Sequence, residues 1–212
     1  MQNFPLTETT FLLSGPAGNI EILAAPAKNN PATATAIICH PHPLFGGTMK
    51  NKVVTTLARV CHDLGLRTVR FNFRGVGKSE GTHADGKGEV ADVIFISEWL
   101  KKIFPNDKLW LAGFSFGAYV ATKAAIALSP AQLITVAPQV SRFKEDDLSP
   151  VTCPWILVQG EQDEVVSPKE VFDWIETLHP KPQVIRILDA GHFFHGQLLR
   201  LRDLLFENLS TK

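Results

Sequence analysis

Along most of this chain, compact apolar runs alternate with stretches in which apolar residues recur every three or four positions. The runs are Thr35–Cys39, Thr68–Phe73, Lys108–Gly113, Gln132–Ala137, Trp155–Gly160 and Gln183–Leu188. Most are rich in β-branched or aromatic residues and too continuous for a strand with one face in water. They therefore predict strands of a parallel sheet covered on both faces. Before them, two short alternating segments, Phe11–Ser14 and Ile20–Ala24, flank the turn-forming sequence GPAG and predict an antiparallel hairpin.

The intervening stretches have helical periodicity. Val53, Leu57, Val60 and Leu64 share one face, with Gly65 placed to cap its C-terminal end. Val90, Val93, Ile94, Ser97, Leu100 and Ile103 form a second face, stopped by Pro105. The tetrad SPKE at 167–170 combines a capping serine, a proline at the first helical position and a glutamate three after the cap. Val171, Phe172, Ile175 and Leu178 follow it, and Leu198, Leu201, Leu205 and Leu209 mark a last helix. Such regular alternation predicts an α/β fold: a mostly parallel sheet of about eight strands, opened by the antiparallel hairpin, with helices on both faces. No repeat, low-complexity tract or linker interrupts residues 1–212, which read as a single domain.

Composition narrows the function classes. Hydrophobic residues make up 45% of the chain, and 21 basic residues balance 21 acidic ones, so no long-range field favours nucleic acid or an anionic membrane. No apolar run approaches the ~18 residues of a membrane span. The start, MQNFPLTETT, lacks the basic and apolar regions of a signal peptide. Cys39, Cys61 and Cys153 are odd in number and sit in apolar settings, which points to reduced thiols in a cytoplasmic protein.

The chemistry concentrates around GFSFG, residues 113–117. This is G-x-S-x-G with a predicted strand before it and a small-residue, helix-compatible segment after it, the context of a nucleophile elbow. A sharp strand-to-helix turn forces its serine into an unfavourable backbone conformation. It also brings strand and helix so close that side chains at Gly113 and Gly117 would clash. The turn lifts the Ser115 hydroxyl above the carboxyl edge of the sheet, at a helix N-terminus that favours developing negative charge. A serine nucleophile needs a base, and the base needs an orienting acid. In this fold they follow in the order Ser, Asp or Glu, His, each in a loop after a strand. Asp163 follows the run 155–160 and His192 follows the run 183–188. Glu161 and Glu164 compete for the acid, but Asp163 sits just before Val165 and Val166, which anchor its loop. His195 competes for the base from a position that faces differently at the start of the last helix.

These motifs resemble a small bacterial family of α/β-hydrolases of the serine esterase and dienelactone-hydrolase-like kind. The resemblance is carried by HPHPLFGGTMKNK (40–52), RFNFRGVGKSEG (70–81), GFSFGA (113–118) and GHFFHG (191–196), and spans nearly the whole chain. It implies the hydrolase fold and the Ser115–Asp163–His192 triad, and acyl transfer by such a triad requires no cofactor. Unlike dienelactone hydrolases, this chain carries serine and not cysteine as nucleophile. HPHPLFGG follows the run ending at Cys39, where the fold supplies its second oxyanion donor. The first donor is expected to be the N–H of Phe116; the resemblance assigns the second to Leu44, with Phe45 as the alternative. Pro41 and Pro43 stiffen this loop.

Two other readings fail. GVGKSEG would need glycine where Asn72 stands to match a Walker loop, and glycine where Glu80 stands to match a dinucleotide fingerprint. Arg74 and Ser79 are better explained as tying that loop down. His40 and His42 form an H-x-H pair without free partners for a metal site and are expected to pack within the oxyanion loop. The interval PQVSRFKEDDLSPVTCP (138–154) is too short and charged for a helical cap. It predicts an open cleft lined by Leu44, Phe45, Phe116, Val166 and Phe193, with Phe143 contributing one wall. The expected activity is hydrolysis of a small ester or thioester. A peptidase or acyltransferase with the same triad, or a catalytically silent binding module, is the alternative.

Overall fold

The computed structural model describes residues 2–28, 32–143 and 150–210. Eight strands form one sheet: β1 (Thr9–Gly15), β2 (Gly18–Ala25), β3 (Ala34–Cys39), β4 (Arg67–Phe71), β5 (Lys108–Phe114), β6 (Gln132–Val136), β7 (Trp155–Gly160) and β8 (Gln183–Ile187). Their spatial order is β1-β2-β4-β3-β5-β6-β7-β8. The hairpin β1–β2 is antiparallel and β2 joins β4 antiparallel, while every pairing from β4 to β8 is parallel. Among the described residues four α-helices connect strands, α1 (Lys52–Asp63), α2 (Lys87–Ile103), α3 (Phe116–Leu128) and α4 (Pro168–Glu176), and a fifth, α5 (Leu198–Ser210), follows β8.

The period of two explains the continuous apolar runs. In β3, Ile37 and Cys39 face the core under α2, α3 and α4, while Ala36 and Ile38 face the core under α1 and α5. Leu157 and its neighbours Ile156 and Val158 divide in the same way. A strand buried on both faces has no polar side, so its residues run apolar without alternation.

Helix ends follow their sequence signals. Asn51 Oδ1 accepts the Val53 amide at 2.9 Å to start α1. Gly65, at φ 86°, ends it, with the Leu66 amide on the Cys61 carbonyl and the Gly65 amide on the His62 carbonyl, both at 3.0 Å. That pair of bonds is a Schellman cap, and its left-handed residue explains the glycine. Ser167 caps α4 by accepting the Glu170 amide.

The run 68–73 continues past the end of β4. There the backbone amide of Asn72 still donates to the Glu21 carbonyl at 2.9 Å, and the Asn72 side chain ties three segments together, accepting the Met49 amide at 2.9 Å and donating to Glu21 at 2.7 Å. Beyond it, Arg74 makes a forked pair with buried Asp92, at 3.0 and 2.7 Å, and Ser79 Oγ donates to the Asn72 carbonyl. This anchoring matches the role expected of Arg74 and Ser79. Among the described residues, no helix is long and apolar enough to cross a membrane.

Candidate active site

Ser115 lies between β5 and α3 with φ 55° and ψ −116°. A residue with a side chain adopts a positive φ only when its surroundings enforce it. Here both flanking glycines show the enforcement. A Cβ on Gly113 would strike the Gly117 carbonyl, and one on Gly117 would strike the backbone carbonyls of Cys39 and His40. The first turn of α3 thus presses onto β5 and the end of β3 with no room for side chains. The Ser115 amide donates to Val136 at 2.9 Å, and its carbonyl accepts from Ala118 at 3.0 Å, which fixes the turn.

The loops after β7 and β8 bring the expected partners to this serine. His192, 2% exposed, places Nε2 3.1 Å from Ser115 Oγ and Nδ1 2.9 Å from Asp163 Oδ2. A carboxylate only accepts, so Nδ1 carries the proton and Nε2 is left to accept from the hydroxyl. The ring packs against Phe114, with centroids 4.9 Å apart. Its own amide donates to Glu164 Oε2 at 3.1 Å, so Glu164 clamps the histidine loop and is not the acid facing the ring. His195 has its ring against Phe193 and takes no part in the chain of bonds to Ser115.

Asp163 is held from both ends. Oδ1 accepts the amides of Val165 at 2.9 Å and Val166 at 2.7 Å, and Oδ2 accepts from Gln159 Nε2 at 3.1 Å as well as from His192. Burial alone would raise its pKa, but the His192 hydrogen bond and those two backbone amides outweigh it and hold the carboxyl below its ordinary value. It is therefore ionised in the neutral pH range.

The loop after β3 departs from the sequence expectation. Residues Pro43–Phe45 form a single 3-10 turn. Within it the Leu44 amide, expected to be the second oxyanion donor, points at His42 Nδ1 at 3.3 Å. The alternative, the Phe45 amide, donates to the His42 carbonyl at 3.2 Å. Gly46 and Gly47 are also bonded inside the turn, and Pro41 and Pro43 have no N–H. The His42 N–H makes no hydrogen bond among the described residues, and His42 lines the same cleft as Ser115. The Phe116 N–H, the first of α3, likewise has no carbonyl inside the helix to bond.

His40 anchors the loop from below. It is wholly buried, with Nδ1 2.6 Å from the Pro41 carbonyl and Nε2 accepting the Phe73 amide at 2.9 Å. Burial lowers its pKa to about 4 against the opposing pull of the Pro41 carbonyl. It is neutral, with both nitrogens engaged, as expected of a packing residue. Burial, His83 and Arg142 lower the pKa of His42 too. His83 packs its ring 5.0 Å from His42 and 5.5 Å from Phe116.

The cleft over Ser115 has a volume of about 150 Å³. His42, Phe45 and Val166 line it as one side, and Gln139, Ser141 and Ser167 add a polar wall. Phe45 is largely exposed there, whereas Leu44, Phe116 and Phe193, also expected on the cleft, are not among the residues that line it: Leu44 is exposed, Phe116 is wholly buried, and the Phe193 ring lies 5.0 Å from that of His192. Phe143, expected on the wall, is a correction. It is 4% exposed and stacks on Trp174 at 4.6 Å, because the 3-10 turn Val140–Phe143 points it into the core and leaves Ser141 on the cleft. Residues 144–149, the charged middle of the interval read as too short for a cap, lie outside the described residues.

A larger groove of about 860 Å³ runs between α1, α5 and the ends of β2 and β4, but Ser115, Asp163 and His192 do not line it. No cysteine among the described residues lines the cleft, and Cys153 is half-buried. Cys39 and Cys61 are fully buried, and burial pushes both thiols up, Cys61 to about 12.

Sheet order, elbow serine and the Asp–His pair beside it define an α/β hydrolase. The chain belongs to that family: the family model for the alpha/beta hydrolase domain matches residues 34–199. An alpha-beta serine hydrolase homologue from Coxiella burnetii is 47% identical, with a TM-score of 0.94 over 98% of this chain and 100% of that one. A Xanthomonas campestris protein, described as an α/β serine hydrolase without a lid, is 42% identical, with a TM-score of 0.92 over 99% of this chain and 96% of that one. An uncharacterized Rickettsia prowazekii protein is 36% identical over 85% of this chain and 80% of its own length.

Proposed function

We propose that this hydrolase cleaves a small ester or thioester through an acyl-enzyme intermediate on Ser115. The observation that carries the reading is the unbroken chain of bonds from Ser115 Oγ to His192 and on to Asp163, at 3.1 and 2.9 Å. Ser115 Oγ attacks the carbonyl carbon as His192 Nε2 takes its proton. Asp163, ionised and held by four N–H donors, keeps the imidazole in the Nδ1–H form and stabilises its cation. The imidazolium then protonates the departing alcohol or thiol. Water, deprotonated by the same nitrogen, releases the acid and regenerates the serine.

The oxyanion is assigned to the N–H groups of Phe116 and His42, the latter replacing the expected Leu44. One such donor contributes about 3–4 kcal/mol to transition-state stabilisation. A cleft of about 150 Å³ suits a short acyl group, well below the ~300 Å³ at which drug-sized pockets begin. The exposed Phe45 ring beside it would take varied alcohols weakly.

The test is a fluorophosphonate probe followed by a panel of chromogenic esters and thioesters of graded acyl length. Ser115 should be labelled without detergent, and turnover should fall as the acyl chain lengthens. Failure to label folded protein would favour a silent binding module. Equal turnover of long and short acyl chains would refute the short-acyl assignment.

A further inference from the structure

Gln159, near the end of β7, is wholly buried. Its Nε2 lies 3.1 Å from the Gly160 carbonyl and 3.1 Å from Asp163 Oδ2. Both neighbours only accept, so the amide can point one way; turning it over would set Oε1 against two oxygens. In that orientation Oε1 has no hydrogen-bond partner among the described residues. A leucine or methionine would fill the same space without a stranded acceptor, so packing does not account for this amide.

What the amide does is touch the triad. Asp163 Oδ2 is the oxygen that accepts from His192 Nδ1, while Oδ1 is held separately by the Val165 and Val166 amides. Without Gln159, Oδ2 would be held by the imidazole alone, and the carboxylate could swing about its Oδ1 anchor. We propose that Gln159 is a positioning residue of the triad, holding Asp163 Oδ2 in line with His192 and tempering its basicity. The proposal rests on the serine-hydrolase reading above.

The direction of its effect follows. A donated hydrogen bond withdraws charge from the carboxylate, so losing it makes Asp163 a better partner for imidazolium and raises the pH at which His192 becomes neutral. Beside the pair stand the Ser115 hydroxyl and Glu164, whose carboxylate accepts the His192 amide, while Glu170 on α4 and His42 on the loop after β3 line the cleft next to Ser115. None of them has a hydrogen bond to Gln159 among those described.

The experiment compares Gln159→Leu and Gln159→Glu with wild type by steady-state kinetics across pH, by melting, and by NMR titration of His192. Gln159→Leu should lose kcat by roughly tenfold, the weight of one hydrogen bond to a charged group. KM should stay nearly unchanged, the acid limb of kcat/KM should move to higher pH, and Tm should not fall. Gln159→Glu, whose buried carboxyl beside ionised Asp163 is held protonated and can still donate to Oδ2, should leave the acid limb closer to wild type than Gln159→Leu does. Wild-type kcat and an unmoved acid limb in Gln159→Leu would overturn the proposal. So would a loss of kcat with a lower Tm and an unshifted His192 titration, the signature of packing alone. If wild type neither turned over esters nor labelled at Ser115, the serine-hydrolase reading would fail. The His192 titration would still decide the role of Gln159.

Discussion

Replacing Ser115 by glycine should make the protein more stable than replacing it by alanine, although both variants lose the nucleophile. Both delete the hydroxyl and its 3.1 Å bond to His192 Nε2, so the comparison isolates the backbone. At φ 55° and ψ −116° a residue with a Cβ is strained, by about 1–3 kcal/mol, and alanine retains that strain. Glycine releases it. Against the release stand about 0.5–1 kcal/mol for the extra freedom of glycine in the unfolded chain. The buried Cβ lost, at most ~0.8 kcal/mol, also counts against it. Central values leave about 1 kcal/mol in favour of glycine, which for a domain of this size is ~2–4 °C in Tm. Thermal melts of the two variants under identical conditions read this directly. A glycine variant melting at or below the alanine variant would refute the claim that the elbow is strained, whatever the activities show.

Asp163→Asn should cost on the order of 10⁴ in kcat, since an amide cannot hold the Nδ1–H form and stabilise its cation together. The pKa of Asp163 is lowered on folding, so its contribution to stability is complete above the unfolded carboxylate value and is lost as pH falls through the folded one. Denaturant titrations from neutral to acid pH should therefore show wild type losing more stability than Asp163→Asn; parallel losses would contradict the assigned environment. His42→Pro should remove the second oxyanion donor with little strain, because His42 already has φ −54°, and should lower kcat by about 10²–10³. His42→Ala, which keeps the N–H, should lose far less; equal losses would return the role to Leu44.

The strands and the elbow were readable because each has a local cause. Burial on both faces writes a continuous apolar run. A turn too tight for side chains writes glycines at positions 113 and 117. The second oxyanion donor proposed above, the His42 N–H, had no such local mark. Which amide is free after β3 depends on how a 3-10 turn uses the N–H groups of residues 44 to 47, and the two prolines delete their own. The neutral pattern HPHPLF says only that the loop is stiff. Phe143 misled for a related reason: an extended segment would present it to the cleft, but one turn of 3-10 helix rotates it onto Trp174. Gln159 did leave a signal, a lone amide inside the fully buried run WILVQG, which alone could not say what that amide holds.

The placement of the site follows from strand direction. β3, β5, β7 and β8 run parallel, so their carboxyl ends open on one edge of the sheet and deliver His42, Ser115, Asp163 and His192 there in turn. From the neighbouring pair β3 and β5, the chain reaches outward in opposite directions, to β4 on one side and β6 on the other. Such a reversal opens a crevice at the strand ends, and the serine stands in it. The hairpin β1–β2 contributes none of these residues; it pairs antiparallel along β4 and extends the sheet away from the cleft. It reaches the loop after β4 through Asn19, which exchanges hydrogen bonds with Glu80, and through Glu21, which bonds Asn72, the Lys78 amide and Ser79; Asn72 in turn accepts the Met49 amide just beyond the loop after β3. The hairpin thus holds the far side of that loop, while the groups proposed to act on the substrate, Ser115, Asp163, His192 and His42, all follow parallel strands.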